Sequence, residues 1–143
     1  MENKKDQLVV VTGGTKGIGK AIIERFSADG YSIATCARNE DDLADLKSGI
    51  ESQFKNRVHV YQADVSKKEE IQSFVEFVNL IAKQVRVLVN NAGKFIPGEI
   101  HNEEDGILES QIETNLYSAY RMSRGFIPQM IEKRNGHIFN IAS

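Results

Sequence analysis

Short β-branched runs alternate with longer amphipathic ones along this chain, and that alternation restricts its fold more than any other feature. "QLVVVT" (7–12), "SIATCA" (32–37), "RVHVYQ" (57–62), "VRVLVN" (85–90) and "HIFNIA" (137–142) have the length and side chains of buried or half-buried strands. Between them the spacing predicts helices over 18–30, 39–54, 66–84 and 110–136. Gly30 supplies a stop for the first, and Ser66 with Glu69 is a capping box for the third. No hairpin signal separates neighbouring strands. Each strand must therefore return through a crossover helix, which gives a parallel α/β sheet covered on both faces.

No repeat, linker or low-complexity tract interrupts the pattern, so residues 1–143 read as one domain. The 18 basic and 20 acidic residues leave a formal charge of -2 without a long block of one sign. That distribution excludes the footprint of a nucleic-acid or membrane-surface binder. No apolar stretch reaches the roughly 20 residues that span a bilayer, and "MENKKDQ" lacks a signal peptide's apolar core. The single cysteine, Cys36, sits in an apolar run with nothing beside it to mark a nucleophile, and is read as structural. A cytoplasmic protein is expected. The one long irregular segment, 91–106, follows the fourth strand at its carboxyl end, where open α/β sheets place ligands.

The first strand breaks into "TGGTKGIGKA" (12–21) and a helix follows at once. Backbone N–H groups and the positive helix end would converge there on a phosphate. Two nucleotide classes compete for such a loop. Read from Gly14, the segment fits G-x-x-x-x-G-K of a P-loop, but Ala21 stands where that motif needs a Ser or Thr for Mg²⁺. The spacing of dinucleotide binders, G-x-G-x-x-G, is absent too, since the glycines run Gly13-x-x-x-Gly17-x-Gly19.

That spacing, joined to "NNAG" (90–93), resembles the classical short-chain dehydrogenase/reductase (SDR) family. Further landmarks follow in order: "ADVS" after the third strand, "ETN" ending at Asn115, and "GHIFNIAS" (136–143). The resemblance covers essentially the whole chain and is similar to 3-oxoacyl-acyl-carrier-protein reductases. It implies a Rossmann-type, doubly wound parallel sheet in three αβα layers, with five strands in the order 3-2-1-4-5.

The cofactor implied is NADP. At the end of the second strand a carboxylate would bond the ribose 2′-OH of NAD, whereas an arginine accommodates a 2′-phosphate. This chain has Arg38 there and Lys16 inside the glycine loop, a basic pair that in the family selects NADP over NAD. Gly13, Thr15, Lys16, Gly17, Ile18 and Gly19 form the implied phosphate cradle. Asp64 and Val65 would line the adenine, and Asn91, Ala92 and Gly93 would approach the ribose.

An enzyme of this family reduces a carbonyl, or oxidises a secondary alcohol, with four groups: Tyr as acid, Lys, Ser and Asn. Two fall on matching positions, Asn115 after "ET" and Ser143 after the fifth strand. A mid-helix Asn also has a plainer use, as a partner for backbone groups. The family's Tyr-x-x-x-Lys is expected further along than Ser143, which implies a longer reductase. Taken alone, residues 1–143 would be a non-catalytic dinucleotide-binding module, the alternative reading. None of Tyr31, Tyr61, Tyr117 and Tyr120 has a Lys four positions later. Tyr117 and Tyr120 are read as packing residues.

His59 and His137 are read as structural and His101 as a solvated loop residue; no His/Cys/Asp/Glu spacing resembles a metal site. The expected partner is a small-molecule carbonyl or alcohol. Apolar residues on more than one face of the last helix, Leu116, Tyr120, Met122, Phe126, Ile127 and Ile131 among them, point to a homodimer or homotetramer.

Overall fold

The computed structural model describes residues 3–142. After a short 3₁₀ turn (Lys4–Asp6) the order is β1 (Gln7–Thr12), α1 (Gly17–Ala28), β2 (Ser32–Ala37), α2 (Glu40–Phe54), β3 (Val58–Gln62), α3 (Lys68–Ile81) and β4 (Gln84–Asn90). Then come α4 (Ile107–Ile112), a π-helical turn (Glu113–Tyr117), α5 (Ser118–Lys133) and β5 (His137–Asn140). All five strands are parallel, in the order β3-β2-β1-β4-β5. The expected α/β topology is the observed one.

The central strand explains why. Every residue of β1 is buried, and successive side chains point to opposite faces. Leu8 and Val10 join Cys36, Leu88, Phe74, Val78, Met122 and Phe126 in the core beneath α3 and α5. Val9 and Val11 join Ile33, Val87, Val89, Ile23, Leu46 and Ile50 beneath α1 and α2. One strand thus nucleates both layers. Phe74 and Phe126 meet edge to face at 6.5 Å across α3 and α5, an arrangement that suits the charge distribution of aromatic rings.

Three local expectations are corrected. Ser66 and Glu69 do not cap α3, which starts at Lys68 with no side-chain cap. Ser66 is instead tied into a turn ahead of the helix: the Asp64 carboxylate accepts from Ser66 N (2.9 Å) and Ser66 Oγ (2.7 Å), while Glu70 accepts from Asp64 N (3.1 Å). With both its N–H and its hydroxyl donated to Asp64, Ser66 forms neither half of the box. The long helix begins at Ile107 rather than 110, carries the π turn, and stops at Arg134, which takes a left-handed conformation (φ 50°). Tyr117 and Tyr120 do not pack in the core: they are 42% and 58% exposed, beneath Arg121 and bonded to Arg124 respectively.

Candidate functional site

Thr12 closes β1 and ties its end to the end of β4. Its Oγ1 accepts from Asn91 N (3.0 Å) and Ala92 N (2.9 Å), and the Asn91 amide donates back to the carbonyls of Thr12 and Gly13, both at 3.1 Å. The "NNAG" segment therefore braces the glycine loop. Gly13 and Gly17 both have positive φ (65° and 56°), which permits the reversal between β1 and α1. A Cβ on Gly19 would meet the Gly13 carbonyl and the Asn91 amide, so a side chain there would break the brace.

These turns open a cleft of about 790 Å³ at the carboxyl ends of β1, β2 and β4. Of the twelve cofactor residues expected from the sequence, nine line it: Gly13, Thr15, Lys16, Arg38, Asp64, Val65, Asn91, Ala92 and Gly93. Gly17, Ile18 and Gly19 instead form the first turn of α1 beside it. No side chain caps that turn, which leaves its N–H groups for an outside acceptor. Burial pushes the Asp64 carboxyl up, but the two Ser66 bonds with Arg38 and Lys67 outweigh it, so Asp64 titrates below the usual carboxylate range.

The opposite rim of the cleft is held by Asn115. Its Oδ1 accepts from Lys94 N (2.6 Å) and its Nδ2 donates to Lys94 O (2.7 Å), so one side chain satisfies both backbone groups of a loop residue. Lys94 Nζ donates to Ser110 Oγ (2.8 Å), and Ile96 N to Gln111 Oε1 (3.1 Å). The loop after β4 is thereby fastened along α4 and the π turn. Ser143 lies outside the described residues.

Lys94, Thr114 and Asp42 line the cleft without having been singled out in the sequence. Asp42 Oδ2 stands 3.2 Å from Lys16 Nζ. Thr12 was legible as a strand end and the first residue of the glycine motif, but not as the brace between β1 and β4. Cys36 touches the cleft but is fully buried, and desolvation pushes its thiol up to about 12, which suits the structural reading. Among the described residues no group of His, Cys, Asp and Glu is placed to hold a metal ion, and no helix is long and apolar enough to cross a membrane.

The family model for short-chain dehydrogenases matches residues 7–143. The chain belongs to that family. Within it, the chain is 37% identical over 139 residues to the uncharacterised oxidoreductase YvrD of Bacillus subtilis, covering 97% of this chain and 52% of that protein. It is 30% identical over 144 residues to a fatty acyl-CoA reductase of Acinetobacter baylyi, covering 99% and 48%. The chain thus spans about half the length of these curated relatives. A metagenomic short-chain oxidoreductase solved with NADP superposes with a TM-score of 0.92 at 31% identity, over 99% of this chain and 64% of that one. L-Sorbose reductase of Gluconobacter frateurii, solved with NADPH and L-sorbose, gives 0.88 at 32%, over 92% and 50%.

Proposed function

We propose that this short-chain dehydrogenase is an NADP-dependent oxidoreductase that transfers a hydride between NADPH and a carbonyl or secondary alcohol. The observation that carries this reading is the grouping around one cleft of the uncapped α1 turn, the basic pair Lys16 and Arg38, and the loop clamped by Asn115. Solved relatives that hold NADP or NADPH support it. In this reading the N–H groups of Gly17, Ile18 and Gly19 receive the pyrophosphate. Arg38 grips the 2′-phosphate as a planar fork and Lys16 as a point charge. Asp64 and Val65 take the adenine; Asn91, Ala92 and Gly93 shape the ribose side.

NADPH, when bound, supplies the hydride; the protein supplies orientation and proton management. Asn115 is a positioning residue, since it acts by fixing the Lys94 backbone at the rim, and Ser143 is assigned to the substrate oxygen. The substrate is a small-molecule carbonyl compound and the location cytoplasmic. The test is loss of NADPH absorbance on the full-length protein with a panel of ketones and 3-oxoacyl thioesters. Turnover of one class supports the reading. Binding of NADPH with silence across the panel favours a non-catalytic dinucleotide-binding module instead.

The same reading includes a homodimer or homotetramer. Met122, Phe126 and Met130 are buried, yet Leu116, Tyr120, Ile127 and Ile131 remain 59%, 58%, 37% and 70% exposed along a separate stripe of the same helix. Light scattering at micromolar concentration should give at least twice the protomer mass; a monomer contradicts this part.

A further inference from the structure

Lys16 already has an anionic neighbour in this structure. Its ammonium is 3.2 Å from the Asp42 carboxylate, and both residues line the cleft together with Arg38. Asp42 is held in place from its own side: it belongs to the first turn of α2, and its backbone N–H donates to the capping Asn39 Oδ1 at 3.0 Å. Of the three acids in that turn, Glu40, Asp41 and Asp42, only Asp42 lines the cleft. Arg38 has no carboxylate within ion-pair distance among the described residues. The two cations of the pair therefore differ: Arg38 acts on the Asp64 carboxylate only from beyond ion-pair distance, whereas Lys16 is in direct contact with one.

We infer that Asp42 is a specificity-determining residue, a resident counterion that the cofactor's 2′-phosphate displaces from Lys16, and whose charge limits how strongly NADP is preferred over NAD. The inference rests on the NADP reading above and deepens it. The Lys16 side chain is 79% and the Asp42 side chain 33% exposed, so the pair is weak and a phosphate dianion can exchange for the carboxylate. After the exchange Asp42 remains beside the new anion, and like charges at close range oppose each other. NAD carries no 2′-phosphate and does not call on Lys16, so Asp42 penalises one cofactor and not the other.

The test is calorimetric titration of NADP and of NAD into the purified protein and into Asp42→Asn at physiological ionic strength. For the unmodified protein NADP binds more tightly; if NAD binds as well or better, the NADP reading fails and this proposal with it, before any variant is made. In Asp42→Asn the Kd for NADP falls about three- to fivefold, the size set by one exposed charge, while that for NAD stays within about twofold. Asp42→Ser, a second neutral replacement, gives the same gain and guards against an Asn-specific folding defect. In a Lys16→Gln background the gain shrinks. An unchanged or weaker Kd for NADP in a variant with a parental melting curve, equal tightening for both cofactors, or a full-sized gain without Lys16 each overturns the proposal.

Discussion

Arg38 and Cys36 stand close together at the carboxyl end of β2, yet their surroundings give them opposite characters. Arg38 is exposed and in no ion pair among the described residues, so on the proposed NADP reading replacing it by Asp removes a charge-assisted contact worth about 1.5–3 kcal/mol and adds repulsion. Arg38→Asp should raise the Kd for NADPH at least about tenfold in a fluorescence titration, with NADH unchanged or bound more tightly because the new carboxylate can bond its ribose 2′-OH; parental affinity for NADPH would refute the assignment. Cys36 is buried and desolvation moves its thiol from 9.0 to about 12. The unfolded chain loses that proton first, so the contribution to stability is complete below the unfolded value and is lost as pH rises towards the folded one. The urea midpoint of the parent should therefore fall more steeply between pH 9 and 11 than that of Cys36→Ala, and the folded protein should resist maleimide labelling. Parallel profiles, or rapid labelling, would contradict this. A lone cysteine in a β-branched run already pointed this way. The Asp42 carboxylate did not stand out, because in the sequence it is one of three acids opening a helix, and only the fold brings it to Lys16.

At the scale of elements, short β-branched runs alternating with amphipathic stretches were enough to locate the five strands and the helices between them, though several ends moved. The reason is that a parallel strand buried on both faces is apolar throughout and a covering helix is apolar along one stripe. Details set by competition between nearby hydrogen-bond partners were not legible. Ser66 satisfies the capping-box pattern, but its own N–H and hydroxyl both donate to Asp64 two residues earlier, so neither half of the box forms. The π turn over Glu113–Tyr117 has no sequence signature; it appears where Asn115 reaches the Lys94 backbone. Glycines make the contrast measurable. A Cβ on Gly14 would collide with Ile23 Cδ1 and Thr35 Oγ1, whereas one on Gly49, inside α2, meets nothing within 4 Å. Gly14→Ala should cost about 1–3 kcal/mol by overpacking, and Gly49→Ala should add about 0.5–1 kcal/mol through helix propensity. Urea denaturation of both variants checks the signs, and two effects of the same sign would contradict the packing described.

For the whole molecule, sheet order and cleft position follow from one rule: parallel strands with helices on both faces leave their carboxyl ends open where the winding direction reverses, here between β1 and β4. The cleft lies there, and the residues expected from the sequence gather in it because the glycine loop, the end of β2 and the end of β4 are neighbours in that order. The family membership and the likeness to NADP-bound structures fit the same placement. The measurement that bears most directly on the central claim is a paired titration of the purified protein with NADPH and NADH, followed by nucleotide fluorescence. Saturable binding of NADPH, with NADH weaker by about tenfold, the equivalent of one charge-assisted contact, is the result this account requires. Binding of neither nucleotide, or NADH binding as tightly as NADPH, would contradict it.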